Sequence, residues 1–260
     1  MRLHEFTGRI VANLGVSGYG SEQELKIIER YALPLQPQMV AWFFFEGNDL
    51  DDDQSYENAM LYERGSPATL PPSEPAAIKW RKFVNRSFLK NAFMQAREWS
   101  DPLIPTSIDS FGWFRSADGA MNRLYFYDVY ANRALGEFEL QRLETTKATL
   151  LHGVAIAREH GIDLVVYYIP IKFRVYSDLC TFPPGSPCRQ WHSWNLEARF
   201  AAFCQEAGIH FVSLTEPMRR AASAGAVLYA PEDSHWNAEG HAFVAKEIAA
   251  AWNAEVGSPE

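Results

Sequence analysis

Helical and strand patterns that alternate along most of the chain predict an α/β fold with a mostly parallel sheet. Three observations carry that prediction. Met39 to Phe45 (MVAWFFF) is apolar throughout, as a strand covered on both faces must be. Asp163 to Ile169 (DLVVYYI) repeats the pattern after a long helical stretch, about Glu137 to His160, and its stop residue Gly161. His210 to Leu214 follows a second such step, a helix from Leu196 to Ala207, begun by Asn195, and then Gly208. With 260 residues, 47% hydrophobic and 14% aromatic, the chain can bury one sizeable core and carry an added subdomain.

The elements follow in order. Ile10 to Leu14 reads as an opening strand that ends in Gly15, Gly18 and Gly20. Ser21, with Glu24 three residues on, reads as a capping box that starts a helix running to about Arg30. Leu33-Pro34 and Gln36-Pro37 break that helix before the strand at Met39. From Asp49 the pattern loosens, and residues 51–136 read as an insertion or lid subdomain within a single α/β domain spanning 1–260. Inside it, residues 76–100 have helical periodicity, with Trp80, Phe83, Val84 and Phe88 on one face and Lys79, Arg81, Lys82, Arg86 and Lys90 over the remainder. Packing of this helix over the core is the plainer reading, and membrane-surface or lid contact the alternative. A short helix from Glu216 to about Ala224 follows the third strand. The polar loop YAPEDSHWN then leads into a last amphipathic helix, about Ala238 to Trp252, capped by Asn237.

Composition excludes several classes. Lys plus Arg number 24 against 32 Asp plus Glu, and a net charge of -8 disfavours nucleic acid as a partner. The longest apolar run, Met39 to Phe45, falls far short of the roughly 20 residues that span a bilayer. Cys180, Cys188 and Cys204 are too few for a disulfide scaffold and lack paired CxxC spacing; Cys180 and Cys188 could pair across the loop TFPPGSP. Asp233, His235 and His241 fit neither helical nor zinc-finger metal spacing, and NDLDDD lacks the glycine and distal glutamate of a calcium loop. No metal and no cofactor is expected. The opening MRLHEFTGR lacks the charged-then-apolar pattern of a signal peptide.

Three polar clusters fall at expected strand ends: SGYG at Ser17 to Gly20, Gly47-Asn48-Asp49, and Asp233-Ser234-His235. Parallel sheets gather ligands at those ends. A glycine elbow lets a backbone N–H approach a ligand oxygen, and Asn48 can offer a side-chain amide to the same point, the makings of an oxyanion hole. His235 supplies a base that titrates near neutrality, and Asp233, two positions away on a bend, can hold its tautomer. Each has a plainer reading too: Gly18 and Asn48 as turn residues, His235 as a packed helix-entry residue. His241 reads as structural.

NLGVSGYG, FEGND and EDSHWNAEGH, in this order and spacing, resemble three sequence blocks of the SGNH, or GDSL, hydrolase family. The resemblance covers about two thirds of the chain and is poorest between Asp51 and Gly136. It implies a flavodoxin-like α/β three-layer sandwich, with Gly18 and Asn48 donating to the oxyanion and Asp233 and His235 as the acid and base of a catalytic triad. The family's opening strand, whose GDS-type end carries the nucleophilic serine, has no counterpart before Asn13. The expectation is a serine upstream of this chain, on a stretch that could also carry a signal or anchor, so the compartment stays open. Within the chain, Ser110 (SIDSFGWF) resembles a GDSF box but would require a permuted sheet, and Ser17 (GVSGYG) misses a GxSxG elbow at Tyr19.

The expected activity is therefore hydrolysis of an acyl or acetyl ester, on a small-molecule or carbohydrate substrate. The Asp-x-His spacing resembles members that move acetyl groups on cell-envelope polysaccharides, which makes O-acetyl transfer or removal the second expectation. A non-catalytic remnant or ester-binding module is the third. Acyl group, alcohol and oligomeric state are not legible.

Overall fold

The computed structural model describes residues 2–53, 56 and 110–256. The expectations for residues 76–100, and most of those for the insertion, lie outside the described residues. In chain order the elements are α1 (Arg2–Thr7), α2 (Ser21–Ile27), β1 (Met39–Phe45), β2 (Phe111–Arg115), β3 (Met121–Tyr125), α3 (Glu137–Glu159), β4 (Asp163–Ile169), α4 (Lys172–Tyr176), α5 (Leu196–Glu206), β5 (His210–Ser213), α6 (Thr215–Ser223) and α7 (Ala238–Val256).

The α/β class is borne out. Strands β1, β4 and β5 form a parallel sheet in the order β1-β4-β5, with Met39 opposite Asp163 and Val165 opposite His210. Both long apolar runs are strands within the expected bounds, because side chains on both faces leave water. On one face, Phe44 stacks on Phe200 of α5 at 4.5 Å between ring centres and on Tyr168 of β4 at 5.7 Å. Trp42 lies on that face against α3, where a Cβ on Gly153 would stand 2.4 Å from its ring. Glycine in mid-helix costs about 1 kcal/mol, and here it admits the indole. On the other face Phe43 stacks on Tyr167 at 5.3 Å, and Phe43, Phe45 and Ile169 border the cavity described below.

Two expectations are corrected. Residues 10–14 form no strand, and Ile10 is 99% exposed. An extended segment becomes a strand only where a neighbour takes up its backbone groups, and among the described residues β1 pairs with β4 alone. The cap of α2 also lies one residue earlier than Ser21. Gly20 is the N-cap, its N–H donates to Gln23 Oε1 at 3.3 Å, and Asp53 reaches in from the next segment to accept from the Glu22 N–H at 3.0 Å. Glu24 serves elsewhere, accepting from the Trp42 indole N–H at 2.5 Å.

Residues 110–136 contain an antiparallel hairpin, β2 with β3, that the sequence reading did not anticipate. Gly119, at φ +84, turns the chain between them. The hairpin also pairs with the loop after α4, where Trp113 and Thr181 exchange both backbone hydrogen bonds at 2.9 Å. All three cysteines are free thiols. Among the described residues no helix is long and apolar enough to cross a membrane, and no group of His, Cys, Asp and Glu is arranged to hold a metal.

One buried carboxylate locks the carboxyl ends of β1 and β4. Glu46, fully buried, accepts from the Tyr168 hydroxyl at 2.5 Å, the Ile171 N–H at 2.7 Å and Arg174 Nε at 2.8 Å. Burial alone would disfavour the charge, and the three donors with the Arg174 cation compensate it.

Candidate functional site

The polar clusters gather at these strand ends. The loop from Tyr229 to Trp236, a β-bridge at its base, carries Asp233 and His235. Asp233 Oδ1 lies 2.6 Å from His235 Nδ1 and also accepts the His235 backbone N–H at 3.2 Å. That arrangement fixes the ring through Nδ1 and does not use Nε2. The hydrogen bond from His235 holds the Asp233 carboxyl below its usual range, so it stays ionised beside the imidazole. The His235 side chain is 80% exposed, so the pair stands at an open mouth that water can reach.

The loop itself is held from behind. Tyr125 N–H at 2.8 Å and Lys172 Nζ at 3.0 Å donate to Pro231 O. Lys172 Nζ also donates to Ala230 O at 2.8 Å, and the Tyr127 hydroxyl to Glu232 O at 2.9 Å. Asn237 closes the loop as the expected cap of α7, its Oδ1 accepting from the Gly240 N–H at 2.8 Å. A Cβ on Gly240 would stand 2.0 Å from Leu228 O, so the first turn of α7 rests directly on the backbone that leads into the loop.

Gly18, Asn48 and His235 line one cavity of about 550 Å³. Gly18 occupies left-handed backbone at φ +77 with open space where a Cβ would be, so its conformation, not crowding, calls for glycine. Asn48 follows β1 and donates its side-chain N–H to Asp52 at 2.5 Å, which leaves its second amide hydrogen. The cavity therefore brings together three of the four expected site residues, Gly18, Asn48 and His235, and Asp233 backs the histidine from outside the lining.

The cavity wall is apolar toward the sheet (Phe43, Phe45, Ile169, Ile171, Phe173) and acidic beside Gly18 and Asn48 (Glu24, Asp49, Asp52). Burial, then the charges of Asp53 and Asp52, push Glu24 up to about 8, and the Trp42 hydrogen bond opposes the shift. Burial and the charge of Glu24 likewise hold the Asp49 carboxyl well above its usual range. Glu24, Lys172 and Tyr127 are cavity residues that sequence reasoning missed, while Asp49 and Asp52 were read only as part of a strand-end turn and an acidic loop. Glu24 carried a helix-cap signal that misdirected it, and Lys172 carried none.

The remaining candidates separate. Ser17 lines the cavity and Ser110 does not. Among the described residues no hydroxyl is hydrogen-bonded to His235 Nε2. His241 lies edge-on to Trp236 at 5.6 Å between ring centres, which is packing at the cavity rim.

A family model described as "SGNH hydrolase-like domain, acetyltransferase AlgX" matches residues 125–259. The match runs from the end of β3 into the chain's last residues and includes Asp233 and His235, while Gly18 and Asn48 lie before it. No curated protein and no solved structure matches the chain.

Proposed function

The chain belongs to the SGNH hydrolase-like family, and from that premise we propose that it is the histidine- and aspartate-bearing part of a serine-dependent acyl-ester hydrolase. One observation carries the reading: Asp233 sits 2.6 Å from His235 Nδ1 at the mouth of a cavity that Gly18 and Asn48 also line. In the proposed reaction a serine Oγ attacks the ester carbonyl while His235 Nε2 takes its proton. The Gly18 N–H and the Asn48 amide hold the oxyanion, and Asp233 stabilises the imidazolium. Collapse expels the alcohol with the proton from His235, and water, activated by the same imidazole, releases the acid.

The serine is assigned to a further strand docked at the edge of β1 that has no partner among the described residues. Two features support that placement. Among the described residues, 10–14 run without a ladder partner and β1 uses one edge only, so an added strand would satisfy both. Fluorophosphonate labelling of the full-length protein, with peptide mapping, tests it; label on Ser17 would move the nucleophile into the Gly18 turn.

A second reading, acetyl transfer between an ester and a carbohydrate hydroxyl, is favoured by the description of the matched family and by the Asp-x-His spacing. The chemistry is shared up to the acyl-enzyme. Release of acetate from an activated ester in water, unaffected by added polysaccharide, supports hydrolysis. Acceptor-dependent turnover with acetylated product supports transfer, and binding without turnover would leave an ester-binding module.

A further inference from the structure

Lys172 opens α4 just beyond β4 and is 3% exposed. Burying an ammonium is expensive unless it is paired and hydrogen-bonded. Its Nζ donates to Ala230 O at 2.8 Å and Pro231 O at 3.0 Å, the two carbonyls immediately before the segment that delivers Asp233 and His235. The other ties to that segment are neutral: the Tyr125 N–H on Pro231 O and the Tyr127 hydroxyl on Glu232 O. A leucine or methionine would fill the same space without the desolvation cost, and a neutral donor would serve the carbonyls, so neither filling nor tethering explains a cation.

Resting on the triad reading above, we propose that Lys172 is a positioning residue for the His235–Asp233 pair: its ammonium fastens the loop to the carboxyl end of β4 and sets a positive charge beside the pair. The groups around His235 explain why charge matters. Asp233 is its hydrogen-bond partner, Glu24, Asp49 and Asp52 share the lining with their carboxyls pushed toward the neutral form by burial, His241 lies at the rim, and among the described residues Lys172 is the cation in this lining. Carboxylates favour the imidazolium, and a nearby ammonium favours the neutral ring that a general base must be. Burial pulls the Lys172 amine down to about 8 while the charge of Asp233 works the other way, so the two charges interact and the amine still carries its proton at neutral pH. Lys172 thus holds the loop in place and sets its positive charge near the ionised Asp233.

Three variants of the full-length protein separate tether from charge. Lys172→Arg keeps both, Lys172→Gln keeps a donor without charge, and Lys172→Met removes both. The imidazole titration of His235, followed by NMR, should shift upward by about one pH unit in the Gln and Met variants and stay near the wild-type value in the Arg variant. Turnover at neutral pH should fall about 100-fold for Met and about 10-fold for Gln, with KM little changed. A His235 titration unmoved in the Gln and Met variants overturns the proposal. Should the Met variant fail to fold, the wild type decides: its His235 signal must show a second inflection near 8 as Lys172 releases its proton, and a single inflection overturns the proposal. Absence of ester turnover even in the wild type would defeat the proposed reaction, and the titration would still decide the role of Lys172.

Discussion

The two flanks of the cavity are built on different terms. On the histidine flank the buried charges among the described residues are answered, Glu46 by Arg174, Tyr168 and the Ile171 N–H and Lys172 by two carbonyls, and the exposed Asp233 is paired with His235. On the Gly18 flank β1 has one edge without a partner among the described residues, and burial, then neighbouring carboxyls, raises Glu24 to about 8 and Asp49 well above its usual range. The first flank carries the His–Asp pair of the proposed reaction, and the second the glycine and amide assigned to the oxyanion.

The largest effect expected from this contrast is on turnover. In the full-length protein His235→Ala should lower kcat by about four orders of magnitude with no change in thermal stability, since the side chain is 80% exposed. Esterase activity that survives the substitution would remove the histidine flank from the reaction.

Stability comes next. Glu46→Ala leaves Arg174 and Tyr168 without their buried partner and should cost about 3–5 kcal/mol in denaturant titration. A loss below about 1 kcal/mol would mean that the two flanks do not differ in how they are held.

The third prediction concerns pH. Glu24 has a folded-state pKa raised from 4.5 to about 8, so its contribution is fully present below about 4.5 and is lost as pH rises through about 8. Stability should decline across that window, and Glu24→Gln, which keeps an acceptor for Trp42, should flatten the decline and raise Tm at pH 8 by about 5 °C. An unchanged pH profile would show that Glu24 ionises freely in the folded protein. The smallest effect is expected at Gly18, where alanine must adopt φ +77 in open space: about 1 kcal/mol of stability, with β4 and its neighbours unaffected in hydrogen exchange.

The sheet was legible where a strand owes its identity to its own side chains. Met39–Phe45 and Asp163–Ile169 are apolar on both faces, and no other element tolerates that pattern in so short a run. Residues 10–14 have comparable propensity, yet a ladder depends on a neighbour that propensity does not encode. The β2–β3 hairpin did leave a signal, an Asp118-Gly119 pair between alternating segments, obscured by the looser composition around it. In the site, Asp233 and His235 were readable because their partnership is local, two residues apart. Lys172 was not, since its two acceptors lie 58 and 59 positions away and nothing in PIKFRV announces them. Glu24 was misread for a related reason: the same residue type suits a helix cap and a tryptophan indole, and only the packing of Trp42 decides between them.

The contact at Gly240 bears on how the imidazole moves. With the α7 backbone seated on Leu228 O, the segment from Leu228 to Gly240 has no slack, and Asn237 bolts both ends together through Val227 O and the Gly240 N–H. A surface loop ordinarily wanders on the nanosecond scale. This one is mounted on a helix of 19 residues and should share its stiffness, with amide order parameters near the rigid-backbone value of about 0.85. The exposed histidine would then sweep a small arc about its own side-chain torsions, on a mount that scarcely recoils.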